Sequence, residues 1–138
     1  MSANLDLVRS IFADLERGDF DRVFQSASEW AHPQIEYVIA DGPEPGSWSG
    51  LAGMAEAWHN SLGSWTDFRV VAEEYRDLDD ERVLVCDRLS GQGRTSGLDV
   101  GELRTEGAQV FQIRGGKVIK TVAYADRDRA LADLGLEG

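Results

Sequence analysis

Asp41-Gly-Pro-Glu-Pro-Gly-Ser-Trp-Ser-Gly50 stands between a strand-like run, Ile35-Glu-Tyr-Val-Ile-Ala40, and a helix-like one, Leu51 to Leu62. Its three glycines and two prolines predict a loop of fixed shape rather than an extension of either neighbour. A carboxylate, Asp41, enters the loop directly from apolar sequence, which sets it at the mouth of whatever the strand and helix enclose. The fold then depends on what lies on either side of this strand, loop and helix.

Upstream, Leu5, Val8, Phe12 and Leu15 recur at helical steps, with Leu7 and Ile11 widening the stripe, so residues 5–17 are predicted to be an amphipathic helix capped by Asn4. Gly18 ends it, and Asp19 is expected to cap a second helix with an inner face of Phe20, Val23, Phe24 and Ala27. Trp30-Ala-His-Pro33 reads as a connector, because proline breaks both helix and central strand. Downstream, Leu51, Met54, Ala55, Trp58 and Leu62 mark a third helix stopped by Gly63. Four runs rich in branched and aromatic residues follow: Phe68 to Tyr75, Val83 to Leu89, Val100 to Ile113 and Lys117 to Tyr124. Asp77 to Glu81, the glycine-rich Gly91 to Gly97 and Arg114-Gly-Gly116 read as their hairpin connections. A short helix after Asp126, with Ala130, Leu131 and Leu134 inward and Gly135 at its end, closes the chain.

The order of two helices, a strand, a helix, four strands and a last helix predicts an α+β domain, a curved antiparallel sheet wrapped around helices as a cone. The chain has 138 residues, 42% of them hydrophobic, with four Trp, five Phe and three Tyr. That suits a single domain over 1–138 with a real core. A net charge of -11 argues against nucleic acid or an anionic membrane as partner. The single cysteine, Cys86, excludes an internal disulfide, and with two histidines it leaves no zinc ligand set. Within Val83-Leu-Val-Cys-Asp87 it reads as a buried structural thiol. No segment has the roughly 20 apolar residues of a membrane span, and the N-terminus has neither a basic region nor an apolar run, so a cytoplasmic protein is expected. Apolar residues at both parities of one strand, Val110 beside Phe111 and Ile113, need cover on both faces, and a homodimer is the expected source.

Gly18-Asp-Phe-Asp21 after the first helix, the Asp41 to Gly50 loop and Phe111-Gln-Ile-Arg-Gly-Gly-Lys-Val118, taken with the element order, resemble the nuclear transport factor 2 (NTF2)-like superfamily. The resemblance spans essentially the whole chain. It is nearest to the branch of ketosteroid isomerases and SnoaL-type polyketide cyclases, which implies the cone-shaped NTF2-like or cystatin-like α+β barrel and a cofactor-independent isomerase or cyclase acting on a small hydrophobic molecule. Aligned without a gap from Ser49-Gly50, the isomerase general base falls on Asp41, and Trp58 stands where the isomerase has a tyrosine. The protonated acid of its oxyanion hole falls on Gln109, with one residue fewer in the following turn, and its helical tyrosine falls on Ile11. Gln109 can still donate through its amide but an aliphatic side chain cannot, so an unchanged steroid isomerase is not expected.

Strand alternation sets Ile35, Tyr37, Ile39 and Asp41 on one face, which gives the acid an apolar wall and makes Tyr37 the replacement donor to a forming enolate oxygen. The alternative for Asp41 is a turn former bound to loop backbone. Trp48, Trp58 and Trp65 gather near it and suit a flat apolar ligand. Asp87-Arg88 interrupts an apolar strand and leaves two readings. Apolar neighbours at 83, 85 and 89 carry Asp87 inward, whereas alignment from the preceding turn brings Arg88 inward as a carbonyl or anion clamp. The Asp-Arg-Asp set of epoxide hydrolases is a further alternative, which this adjacency fits poorly. His59 is expected at the rim of the third helix and His32 in a turn. Against the enzyme stands a noncatalytic small-molecule-binding or dimerisation module of the same fold.

Overall fold

The computed structural model describes residues 3–18, 20–41, 45–63, 65–95 and 98–136, with side chains left out at 20, 60–63, 65–68, 92–95 and 98–105. Among these, eleven elements follow in the order α1 (Ala3–Glu16), α2 (Phe20–Gln25), α3 (Ala27–Trp30), β1 (Ala31–Ile39), β2 (Gly46–Ser49), α4 (Gly50–Gly63), β3 (Trp65–Asp77), β4 (Arg82–Thr95), β5 (Leu98–Arg114), β6 (Lys117–Tyr124) and α5 (Arg127–Asp133). The architecture is α+β. One curved, unclosed sheet of six strands in the order β2-β1-β6-β5-β4-β3 carries helices on its faces. Among the described residues no helix is long and apolar enough to cross a membrane.

The helical stripe of α1 buries Val8, Ile11, Phe12 and Leu15. Phe12 meets Tyr75 and Phe111 edge to face, with centroids 6.1 and 5.9 Å apart. Gly18 and Gly135 have φ of +76° and +72°, a region open to glycine without the Cβ clash, and so end α1 and α5 as their positions predicted. Asn4 does not cap α1; it lies inside the helix and its amide donates to the Asp80 carbonyl at 2.8 Å. The expected cap Asp19 lies outside the described residues.

Three departures from the expected strands have local causes. Gly46–Ser49, expected to be loop, forms β2 and pairs with β1, Tyr37 opposite Trp48. The segment from Ala31 that read as connector is already strand, and Pro33 falls in the register break between Ala31 and Glu36, where no ladder hydrogen bond is asked of it. The β4–β5 ladder continues past Gly91 to Thr95 opposite Leu98, so most of the expected glycine-rich loop is a two-stranded arm. All pairings are antiparallel except β1 with β6, which is parallel.

Two apolar layers result. The inner one joins α1, α3 and α4 to Ile35, Tyr37, Val70, Val83, Val85, Phe111 and Ile113. The outer one packs Ala130 and Leu131 of α5 on Leu84, Cys86, Ala108 and Val110. Val110 and Phe111 thus face opposite ways, as alternation requires. The cover for Val110, expected from a second chain, comes from α5 of the same chain.

Candidate functional site

Register fixes what shares the inner face. One row across the sheet runs Tyr37, Thr121, Phe111 and Val83; the next runs Ile39, Ala123, Gln109 and Val85; the third brings Gly107 opposite Asp87 and Asp87 opposite Ala72. Tyr37, Gln109 and Asp87 therefore point to the same side, and Asp87 and Gln109 are diagonal neighbours on adjacent strands.

Asp87 is 1% exposed. Gln109 Nε2 donates to its Oδ2 at 3.0 Å, whereas its Oδ1 is buried with no hydrogen-bond partner among the described residues. An ionised carboxylate in that state is poorly solvated, and burial raises its pKa from 3.8 to about 6 against the opposing effects of Gln109, the Arg127 cation and the residue's own backbone amide. Space for the carboxyl group comes from Gly107, where an added Cβ would lie 3.0 Å from Asp87 Oδ1 and 2.6 Å from the Tyr124 carbonyl oxygen. Tyr37 is buried too. Its phenol is pushed well above its ordinary value, first by burial and then by the Asp87 charge, so it stays protonated and able to donate. Its ring lies 6.4 Å from Trp48 and 6.3 Å from Trp58, and Trp58 meets Phe24 edge to face at 5.5 Å. Of the three tryptophans expected to gather near Asp41, Trp48 and Trp58 lie against the Tyr37 ring, and the Trp65 side chain lies outside those described.

Asp41 is partly buried and engaged elsewhere. Its Oδ1 accepts from the Ala125 amide at 2.5 Å and its Oδ2 from the Asp126 amide at 3.3 Å. Both oxygens serve the connection from β6 to α5, so proton abstraction would compete with these bonds. It binds backbone, as the alternative reading held, but of another segment rather than its own loop. Arg88, expected in the pocket under one reading, is on the outer face: its side chain is 52% exposed and its Nη2 donates to Glu73 at 2.7 Å. Alternation from Val83 and Val85 is the physical reason, because it turns Asp87 in and Arg88 out. His59 and His32 are exposed; His32, expected in a turn, lies in β1, where its Nδ1 accepts from the Gln34 amide at 3.0 Å. Cys86 is buried on the outer layer, and burial raises its thiol pKa.

Arg127 was missed by sequence reading. It opens α5, and its guanidinium donates to the carbonyls of Asp87 at 2.7 Å and Gly107 at 3.2 Å and to Glu73 Oε1 at 2.6 Å. Glu73 is the extra residue of a bulge between Ala72 and Glu74, and the Arg127 hydrogen bond, with help from Arg88, holds its carboxyl below the usual range. Nothing in local sequence pattern joins residues 73, 87 and 127.

Among solved structures, TerC co-crystallized with polyporic acid has TM-score 0.72 at 20% identity, covering 96% of this chain and 98% of that one. An NTF2-like protein of unknown function from Burkholderia pseudomallei has TM-score 0.73 at 16% identity, with 96% and 97% covered. The chain has the NTF2-like fold. A putative polyketide cyclase from Xanthomonas campestris pv. campestris shares the NTF2-like fold at TM-score 0.66 and 19% identity, with 94% of each chain covered. No family model matches the chain. No curated protein matches it in sequence. At these identities the NTF2-like fold is what is shared, and chemistry has to be argued from the side chains.

Proposed function

We propose that the protein is a SnoaL-like, cofactor-independent enzyme of the isomerase or cyclase type, acting on a flat hydrophobic carbonyl compound with Asp87 rather than Asp41 as its general base. The observation that carries this reading is Oδ1 of Asp87, buried on the inner face with no partner among the described residues. A carboxylate with a pKa near 6 is ionised at neutral pH yet basic enough to take a proton from carbon next to a carbonyl. In this reading Oδ1 takes the proton, and the electron pair of the broken C–H bond moves into the enolate. Tyr37, held protonated, donates to the enolate oxygen. Gln109 keeps Oδ2 fixed. The proton then returns to another carbon in an isomerisation; in a cyclisation the enolate carbon attacks a second carbonyl, whose π electrons pass to its oxygen, and protonated Asp87 returns the proton to that alkoxide. Tyr37, Trp48 and Trp58 suit a planar substrate, and the polyporic acid with which the similarly folded TerC was co-crystallized supports that class.

The test compares native protein with Asp87→Asn and Asp41→Asn on a panel of β,γ-unsaturated ketones and polyketide-like esters. A loss of about 10²–10⁴-fold in Asp87→Asn is expected. Equal rates in native and Asp87→Asn would overturn the assignment, and a loss confined to Asp41→Asn would return the base to Asp41. A second reading, the noncatalytic binding module, is favoured by the engagement of both Asp41 oxygens with backbone. It predicts no turnover across the panel, with quenching of tryptophan fluorescence by planar ketones.

A further inference from the structure

The Asp87 side chain and the Asp87 carbonyl are served from opposite sides of the sheet. Inside, the carboxylate meets Gln109 and is close enough to Tyr37 to perturb it. Outside, one guanidinium spans the carbonyls of Asp87 and Gly107, which are direct partners in the β4–β5 ladder, at 2.7 and 3.2 Å. The Arg127 side chain is only 21% exposed, and its guanidinium is held by Glu73 at 2.6 Å, with Glu106 at 3.9 Å. It stands at the start of α5, whose entry is fixed by the Asp41 carboxylate through the Ala125 and Asp126 amides and whose apolar side is pressed on Leu84 and Cys86.

We propose that Arg127 is a positioning residue for Asp87: from the outer face it ties the two carbonyls that flank the carboxylate's seat and stands as a fixed cation behind it, with Asp41 locking the chain that brings it there. The inference rests on Asp87 being the reacting carboxylate for its functional meaning, but not for its test. A planar fork suits the task, since one Arg can bond two backbone oxygens and a carboxylate at once, which an ammonium on a flexible stem does less well. It also gives Asp41 a purpose without direct chemistry.

Among the described residues, the charged and titratable groups around Asp87 are Tyr37 from β1, Glu73 from β3, Cys86 and Arg88 on its own strand, Glu106 from β5 and Arg127 from α5. Of these, Arg127 lowers the Asp87 pKa and Glu73 raises it. Removing the cation therefore shifts the titration of Asp87 upward, and removing the Glu73 anion shifts it downward.

The experiment is titration of the Asp87 side-chain carboxyl by carbon-13 NMR in native protein, Arg127→Met and Glu73→Gln, with thermal melts to establish that each is folded. It needs no substrate, so it reads even in a protein without turnover. The expected result is an upward midpoint shift in Arg127→Met and a downward one in Glu73→Gln. General loosening of the sheet would move both the same way. Midpoints unchanged in both, or displaced in the same direction, would overturn the proposal. If Arg127→Met does not fold, Glu73→Gln decides alone: a fall supports the proposal and an unchanged or raised midpoint refutes it.

Discussion

Replacing Asp87 with asparagine is expected to widen a stability gap in the variant's favour as pH rises, although the residue is among the most buried in the chain. Burial raises the carboxyl from 3.8 to about 6, so the folded state keeps its proton to higher pH than the unfolded chain does. Between about pH 4 and pH 6 the folded state binds the extra proton, and by linkage stability falls as pH rises through that window. At about 1.4 kcal/mol per unit, the ionised carboxylate costs the native fold about 3 kcal/mol at pH 7. Asparagine never ionises. Its carbonyl can still accept from Gln109 Nε2, and an unpaired amide replaces an unpaired charged oxygen. Urea denaturation of both proteins from about pH 4 to pH 7 should show Asp87→Asn gaining about 2–3 kcal/mol relative to native across that range. A gap independent of pH, or one that moves in native's favour as pH rises, would refute the reasoning, because it would mean that the folded state satisfies the charge. Stability given up at one inward carboxylate is what a site kept for chemistry is expected to look like.

Asp41→Ala removes two bonds to the β6–α5 connection and should cost about 1–3 kcal/mol, read as a lower urea midpoint, with faster amide exchange in α5. Gly107→Ala sets a Cβ 2.6 Å from the Tyr124 carbonyl oxygen, so backbone must shift and a loss of about 1–3 kcal/mol should appear in thermal melts. Leu131→Ala loosens α5 from Leu84 and Cys86, costs about 2–5 kcal/mol, and should speed labelling of the Cys86 thiol. On any substrate that is turned over, kcat/KM should rise with pH through about 6 and level above it, since the ionised form of Asp87 is the base.

The fold was legible where one residue type answers one local need. Gly18 and Gly135 mark helix ends because their φ is positive, and the α1 stripe is readable because a single face of it is buried. It was least legible where backbone pairing runs through poor strand formers. β2 lies in Gly46-Ser-Trp-Ser49, next to Pro45, and the outer part of the β4–β5 arm contains Gly91, Gly93 and Ser90, whose side chains carry little strand signal. The site divides along the same line. Alternation at Val83, Val85 and Asp87 gave one of two readings of the Asp87-Arg88 pair, and only the packed sheet decides for the carboxylate inward and the guanidinium outward, whereas alternation at Ile35, Tyr37 and Ile39 left a single inner face for the phenol. The resemblance to the isomerases drew attention to Asp41, but could not show that both its oxygens accept from backbone amides at the entry to α5. No periodicity links Glu73, Asp87 and Arg127, because a bulge, a strand and a helix start meet there only through tertiary packing.

The central claim, that Asp87 is the perturbed inward carboxylate, is tested most directly by carbon-13 titration of its side-chain carboxyl in the native protein. The account predicts a midpoint of about 6; a midpoint at the ordinary aspartate value, about 4, would contradict it.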